Sequence, residues 1–304
     1  MPTETVYGLA AAINCPEGIS RIFSTKKRPF FDPLIIHVAS IEQAKSVTRE
    51  WPPIADLLAK RFWPGPLTLV LPKADNINPM ICSGLDTVGV RLPKHPLARR
   101  LIRQVGAPLA APSANLFGKT SPTSAEHVIE EFDRSVFVVD GGPSEVGLES
   151  TVVEIRVGDE EDEIAILRPG LITRKDLAEA VSKQKRKTRI TRENSSASPG
   201  HLTQHYMPRI PLVIVPPGFL PLTAVNLELI QQWLRFPVVK CEQLLLDGNP
   251  AFAARLLYAR LRELSQSHSD FIVVEWQPEF DHEEWLAIWD RLRRAASVDL
   301  SRRH

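Results

Sequence analysis

The sequence predicts an α/β protein with two domains, and three observations lead to this prediction. The chain has 304 residues, of which 43% are hydrophobic, which is enough for more than one core. Short apolar runs alternate with amphipathic segments over most of the chain, as in α/β proteins. The 26 prolines are spread along the chain and bound short elements instead of forming a low-complexity tract.

Strands are predicted in the first domain where several apolar residues stand together. These runs are "PLIIHV" (33–38), "LTLVLPK" (67–73), "VGVRLPK" (88–94), "PLAAPSAN" (108–115) and "VFVVDGG" (136–142). Two further runs, "STVVEIRV" (150–157) and "EIAILRP" (163–169), are joined by the acidic stretch "GDEEDE" (158–163), which predicts a hairpin.

Helices are predicted between these strands from their start signals and periodicity. Pro16 and Pro96 are suited to the first turn of a helix, and "IADLLAKRF" (54–62) follows two prolines. Thr123 and Glu126 have the spacing of a capping box before a further helix. Thr173 is expected to cap a last helix that ends near residue 184.

The segment 185–210 is predicted to be a linker, because it is rich in charge, Ser and Pro and has no apolar periodicity. It separates a first domain, 1–184, from a smaller domain, 211–304. In the smaller domain, "PLVIVPP" (211–217) and "FIVVEW" (271–276) are apolar enough for buried strands, and amphipathic helices lie between and after them. This alternation predicts a parallel sheet with helical crossovers.

Charge and cysteine content exclude several classes of protein. The formal net charge of +1 gives no overall field that would indicate a nucleic-acid or membrane partner. Cys15, Cys82 and Cys241 are far apart and form neither a disulfide framework nor a zinc pattern, which favours a reducing cytoplasm. No signal peptide or membrane-spanning run is recognised, so no membrane partner is expected. The basic run 183–192 is interpreted either as a weak tRNA contact or as a solvated linker.

Six short polar motifs stand out from this pattern. None of them is a P-loop, a dinucleotide fingerprint, a zinc motif or a nucleophile elbow, so no single motif identifies a function. The motifs are "PTETVYGL" (2–9), "KKRPFFDPLIIH" (26–37), "TVGVRLPKHP" (87–96), "APSANLFGKTSPT" (111–123), "GLESTVVEI…LRPG" (147–170) and "SPGHLTQHYMP" (198–208).

In this order and spacing, the motifs resemble the threonylcarbamoyl-AMP synthase family in its long, two-domain form, over residues 2–210. The resemblance implies a YrdC-like twisted mixed sheet with flanking helices for 1–184 and a small Rossmann-like domain for 211–304. The linker would then act as a lid over ATP. Family members have a strand and a helix before the Pro-Thr-Glu-Thr motif, so the chain is interpreted as N-terminally shortened.

The resemblance also implies an activity. Such enzymes make L-threonylcarbamoyladenylate from L-threonine, bicarbonate and ATP and release pyrophosphate, and ATP brings Mg²⁺ with it. Downstream threonylcarbamoyl-transfer proteins then modify the tRNA adenosine next to the anticodon. This chemistry depends on positioning and on stabilisation of negative charge, so no catalytic residue acting as a covalent nucleophile and no metal-ligating residue is predicted.

The site residues are carried over from the family motifs. Those implied for threonine are Thr5, His37, Arg91, Ala111 and Ser150. Those implied for ATP are Lys26, Arg28, Asp32, Thr87, Ser113, Ser121, Arg168 and Tyr206. Asp32 departs from the pattern, where Asn is usual, and a carboxylate repels phosphates unless Mg²⁺ bridges them.

The residues themselves leave other interpretations open. Thr5 would also suit a turn cap, His37 a packed core position, and Pro-Ser-Ala-Asn a simple turn. Lys26 and Arg28 would also suit a solvated helix C-terminus, and Tyr206 a residue that only pins the linker. For the whole chain, the alternatives are an RNA-binding module and an inactive paralogue that serves as a scaffold.

Overall fold

The computed structural model describes residues 1–133, 135–193 and 204–301. The chain divides into two compact units, the first made of residues 1–117 and 122–201 and the second of residues 118–121 and 202–304. Both units combine a sheet with helices, which confirms the predicted α/β class. The exact domain boundaries at 184 and 211 stay a prediction.

The first unit contains a mixed sheet of eight described strands. They are β1 (Ala11–Ala12), β2 (Ile35–His37), β3 (Leu67–Pro72), β4 (Thr87–Arg91), β5 (Leu109–Ala110), β6 (Thr151–Val157), β7 (Glu161–Arg168) and β8 (Lys187–Arg192). Their order in the sheet is β1-β5-β2-β4-β3-β6-β7-β8. Strand β2 is parallel to β4, and β3 to β6, whereas β3–β4 and β6–β7 are antiparallel pairs.

Six described helices accompany this sheet: α1 (Pro16–Lys26), α2 (Ile41–Ser46), α3 (Pro53–Phe62), α4 (Pro96–Val105), α5 (Ala125–Phe132) and α6 (Arg174–Val181). Helices α1, α3 and α4 begin at proline, whose fixed φ and missing N–H suit a first turn. Thr173 and Asp176 form the capping box of α6. Phe23 and Leu58 join Ile36, Leu69 and Val90 in the main buried cluster. The core therefore lies against the middle of the sheet.

The second unit contains a sheet of four described strands with helices between them. Its elements are β9 (Leu212–Val215), α7 (Ala224–Leu234), β10 (Cys241–Gln243), α8 (Pro250–Leu264), β11 (Phe271–Glu275), α9 (Leu286–Ala295) and β12 (Val298–Asp299). The strand order is β10-β11-β9-β12, and all of the described strand pairs are parallel, as the sequence predicts. Among the described helices of the chain, none is long and apolar enough to cross a membrane.

The predicted strand at 136–142 is wrong. The described residues between α5 and β6 form no strand, and Phe137 is 93% exposed. Contacts with Tyr7 hold this segment instead, because the Tyr7 hydroxyl donates to Gly142 O (2.8 Å) and accepts from Gly141 N (3.1 Å). An apolar run alone therefore does not establish a strand here.

The predicted capping box at Thr123 is also wrong. Helix α5 begins at Ala125, and the N-cap is Ser124, whose Oγ accepts from His127 N. Thr123 contacts the His127 ring instead, with its backbone N 3.2 Å from Nδ1. The helix begins one residue later than predicted, so the hydroxyl of Ser124, and not that of Thr123, reaches the first free N–H groups.

The predicted irregular linker is wrong in its first part, where strand β8 pairs in parallel with β7. Arg189 binds Glu163 (3.1 Å) and Arg186, just before β8, binds Asp162 (2.8 Å), and Ile190 pairs with Ile164, so opposite charges and one apolar pair align the two strands. The acidic run 158–163 and the basic run 183–192 thus pair with each other. Residues 194–203, which hold the first part of "SPGHLTQHYMP", lie outside the described residues, and so does that part of the expected lid.

Candidate functional site

The N-terminal motif folds into a tight turn that Thr3 closes. Thr3 Oγ1 accepts from the backbone N of Thr5 and of Val6 (3.2 Å each) and donates to Val6 O (2.6 Å). The Thr5 hydroxyl lies 2.9 Å from Thr3 Oγ1 and also accepts from Arg91 Nη1 (2.8 Å). The role of turn cap therefore falls to Thr3, and Thr5 faces Arg91.

Arg91 is the last residue of β4 and is buried, with 3% of its surface exposed. Its Nη2 lies 2.7 Å from Glu4 Oε1, and its Nε donates to Gly65 O (3.2 Å). The sequence indicates that a buried Arg91 needs a partner. In the structure this partner is Glu4, a functional candidate that the sequence analysis missed. Its position between two threonines of the motif is the signal that could have found it.

His37 is the last residue of β2 and pairs with Arg91 across the two strands. Burial, and then the charge of Arg91, lower the pKa of His37 to about 3. The imidazole is therefore neutral near pH 7. His37 is buried, so its role as a core residue and its predicted role at a threonine site both agree with its position.

Replacing His37 with Asn should make the protein less sensitive to mild acid. The folded state keeps His37 neutral down to about pH 3, whereas the unfolded chain binds a proton below about pH 6.5. Stability is therefore lost as the pH falls from 6.5 towards 3. Between pH 7 and pH 5, the unfolding free energy of the wild type should fall by about 2 kcal/mol more than that of His37→Asn.

Urea unfolding at both pH values measures this difference. His282→Asn is the matched control, because His282 is exposed. If the wild type and His37→Asn lose the same stability between pH 7 and pH 5, His37 is not held neutral by the fold.

Ser150 and Arg168 lie where β6 begins and β7 ends. Ser150 Oγ is 2.8 Å from Thr68 Oγ1, and Arg168 Nη2 donates to Ser150 O (3.1 Å) and Oγ (3.2 Å). Gly170 is needed here, because a Cβ at this position would lie 2.4 Å from Thr151 N. The contacts with Thr68 and Arg168, and the close approach of Gly170 to Thr151, hold the Ser150 hydroxyl at the edge of the sheet.

Five predicted residues meet at one edge of this sheet. Strands β2 and β4 end at this edge. Strand β3, which is antiparallel to β4, begins there, and so does β6, which is parallel to β3. The residues gathered at this edge, by strand register or by contact with Arg91, are Thr5, His37, Arg91, Ser150 and Arg168. Thr87 lies at the opposite end of β4, paired with Pro72, and is not brought to this edge.

The loop that follows β5 carries Ala111 and Ser113. Ala111 N donates to Ile35 O (2.9 Å), two residues before His37. Ser113 forms a bridge with Gly8, and Ala114 N donates to Tyr7 O (2.7 Å). The loop therefore runs beside the N-terminal motif and is more than an isolated turn.

Lys26 ends α1 and is fully buried. Its Nζ donates to Ser113 O (2.6 Å) and to Asn115 O, so it holds the loop after β5. Burial, and then the nearby charge of Arg28, lower the pKa of Lys26 well below its usual value. The alternative of a solvated helix end is therefore wrong for this residue.

Arg28 and Asp32 form a buried ion pair, with Arg28 Nη2 2.9 Å from Asp32 Oδ2. Arg28 also donates to Asp32 O (3.1 Å) and Pro33 O (2.9 Å), and its guanidinium lies over the Phe117 ring. The carboxylate at position 32 thus neutralises Arg28, which reduces the positive charge that this segment offers to phosphates.

Two further predicted ATP residues, Ser121 and Tyr206, belong to the second unit, and both are buried. The Tyr206 ring stacks on Tyr258 (5.7 Å between centroids), and the Arg291 guanidinium lies 5.4 Å from it. Tyr206 has φ 64°, which is uncommon outside glycine. Packing therefore holds Tyr206 in a specific conformation, and its predicted nucleotide contact stays a prediction.

A cleft of about 350 Å³ opens in the second unit at the carboxyl ends of β10 and β11. Carboxylates and apolar side chains line it, and none of its lining residues is Lys or Arg; they include Asp247, Glu275, Glu279, Phe280 and Trp285. Such a lining does not suit phosphates, so this cleft does not resemble a second nucleotide site.

The described residues contain no group of three or more His, Cys, Asp or Glu side chains that could hold a metal ion. Mg²⁺ usually binds through substrate phosphates, waters and one or two carboxylates. Asp32 is the carboxylate nearest in sequence to Lys26 and Arg28, and it is paired with Arg28. The residues therefore fit Mg²⁺ as part of an ATP substrate better than as a resident ion.

The edge of the first sheet thus presents buried guanidinium and hydroxyl groups, with a neutral imidazole beside them. A site of this kind defines an enzyme that binds anionic groups and acts by position and charge, as group-transfer enzymes do.

Comparisons with known proteins agree with this class. The family model described as "Telomere recombination" matches residues 1–170, and the model described as "Threonylcarbamoyl-AMP synthase, C-terminal domain" matches residues 172–297. The threonylcarbamoyl-AMP synthase of Bacillus subtilis is 40% identical over an alignment that covers 97% of this chain and 88% of that protein. The protein of the same name from Pyrococcus abyssi is 37% identical over an alignment that covers 97% of this chain and 89% of that protein.

The crystal structure of P. abyssi Sua5 complexed with L-threonine matches 98% of this chain and 91% of its own, with 35% identity and a TM-score of 0.82. The chain therefore belongs to the threonylcarbamoyl-AMP synthase family. This confirms the family resemblance and the two-domain α/β fold, and it makes the protein a transferase of that family.

Proposed function

We propose that this protein joins L-threonine, bicarbonate and ATP to form L-threonylcarbamoyladenylate, pyrophosphate and water. The observation that carries the proposal is buried Arg91 at the sheet edge, in contact with Thr5 and paired with His37. Family membership supports it, and so does a similar protein whose structure was solved with L-threonine.

Arg91 would bind the carboxylate of threonine. A guanidinium has five N–H donors; Nε and Nη1 of Arg91 donate to Gly65 O and Thr5 Oγ1, and Nη2 forms the ion pair with Glu4, which leaves donors for a ligand. His37 is uncharged near neutral pH, so it does not repel the ammonium group of threonine. The Ser150 hydroxyl and the backbone of Ala111 would complete this half of the site.

Lys26 and Arg28 would bind the phosphates of ATP, with Ser113 beside them. A nearby phosphate favours the charged form of Lys26 and so opposes the effect of burial on its pKa. The carbamate oxygen would attack the α-phosphorus while the bond to pyrophosphate breaks, and the cations would stabilise the charge that develops. Thr87, Ser121, Arg168 and Tyr206 complete the proposed ATP set, Asp32 would act on it only by neutralising Arg28, and Mg²⁺ would arrive with the nucleotide.

The product would serve the modification of tRNA adenosine next to the anticodon, through downstream threonylcarbamoyl-transfer proteins in the cytoplasm. A direct tRNA contact has less support, because acidic residues of β7 pair with Arg186 and Arg189 of the basic run. A neutral overall charge also gives RNA no broad field to follow.

Pyrophosphate release from ATP should require both threonine and bicarbonate. The release is measured with each omitted in turn, and ¹³C-bicarbonate should add one mass unit to the adenylate product. Release without threonine, or none with all three substrates, would contradict the proposal. An RNA-binding module would instead bind RNA with a steep salt dependence and release no pyrophosphate. An inactive scaffold would do neither.

A further inference from the structure

Glu4 is a buried carboxylate that the proposed reaction does not use. Its Oε1 lies 2.7 Å from Arg91 Nη2, and its Oε2 accepts from Lys94 N at 3.0 Å. Only 2% of the Glu4 side chain and 4% of the Arg91 side chain are exposed. Solvent therefore screens this pair little.

The other described partners of Arg91 are uncharged. They are the Thr5 hydroxyl and the Gly65 carbonyl, and the facing His37 is neutral. Glu4 and Arg91 together therefore add no net charge to this part of the site. A buried charge that enters such a place needs a partner of its own.

A ligand with only a carboxylate would bring one uncompensated negative charge next to Glu4. A zwitterion brings its own ammonium group, so its net charge is zero, and the Glu4 carboxylate attracts that ammonium group. We infer that Glu4 is a specificity-determining residue, which makes the site select an amino acid over the corresponding acid without an amine. This inference rests on the proposed binding of threonine at Arg91.

The selection matters for the proposed chemistry, because bicarbonate can only form a carbamate with an amine. A carboxylic acid bound at Arg91 without an amine would occupy the site and give no product. Glu4 would thus act on which ligand binds, through Arg91 and through its own charge, and it would not touch the reacting phosphate.

The test compares L-threonine with (R)-3-hydroxybutyrate, which lacks only the amine, by calorimetric titration. The wild type should bind threonine at least about tenfold more tightly than (R)-3-hydroxybutyrate, the size expected for a contact with a charged group. Glu4→Gln should reduce this preference by about tenfold or more. Glu145→Gln is the matched control, because Glu145 also binds Lys94 but is exposed, and its preference should equal that of the wild type.

An unchanged ratio of the two affinities in Glu4→Gln would overturn the inference. This includes an equal loss of affinity for both ligands, which a purely structural role predicts. The wild-type ratio tests the inference even if the variant does not fold, because equal affinity for the two ligands would also contradict it. A wild type that binds no threonine would instead overturn the proposed function, and this inference with it.

Discussion

Replacing Arg91 with Met should weaken the binding of L-threonine by roughly 30- to 4,000-fold and leave ATP binding nearly unchanged. The loss follows from removal of the cation that would pair with the substrate carboxylate, which costs about 2–5 kcal/mol when the partner charge is buried. Calorimetric titration of threonine and of ATP measures both effects. Arg100→Met is the matched control, because Arg100 is exposed on α4.

The same change should also destabilise the fold, because Glu4 would then be a buried carboxylate that has lost its ion-pair partner. The expected cost is about 3–5 kcal/mol, and the added change Glu4→Gln should recover part of it. Threonine binding should stay lost in this double variant. Unchanged threonine binding in Arg91→Met would place the carboxylate site elsewhere.

Replacing Arg28 with Met and Asp32 with Asn should change ATP affinity in opposite directions. Arg28→Met removes a phosphate partner and should weaken ATP binding by about 10- to 100-fold, as for a charged hydrogen bond. Asp32→Asn removes the carboxylate that neutralises Arg28 and should strengthen ATP binding by up to about tenfold. Lys26→Met should act in the same direction as Arg28→Met.

Titration with ATP measures these affinities, and protection against thermal unfolding by threonine shows whether the fold is retained. Arg21→Met, at an exposed position of α1, is the control. If Arg28→Met loses both ligands together, the residue is structural. If Asp32→Asn weakens ATP binding, the carboxylate supports the nucleotide site instead of opposing it.

Much of the fold could be predicted because local signals and packing agree there. Strands β2 and β3 are largely apolar, and prolines mark the starts of α1 and α4. The failures lie where tertiary contacts override the local signal. Residues 136–139 are apolar but partly or fully exposed, and the largely polar strand β8 pairs with β7, where Arg189 binds Glu163.

For the candidate site, the motifs singled out Arg91, His37 and Thr5, which the fold brings together, but the sequence could not show their partners. Glu4 and Arg91 are far apart in sequence, so their contact follows only from the way the N-terminal turn meets β4. A lysine at the end of a helix, as Lys26 is, is usually solvated, yet its ammonium group donates to carbonyls of the loop after β5. Such long-range pairings depend on the folded backbone and leave no local pattern.

The crystal structure of this protein with L-threonine would test most directly that the sheet edge at Arg91 binds the substrate. The threonine carboxylate should lie within hydrogen-bond distance of the Arg91 guanidinium, with its ammonium group on the side of Glu4. Its hydroxyl or amine should contact Ser150 or Thr5. Threonine bound away from Arg91, with the Arg91 contacts unchanged, would contradict this account.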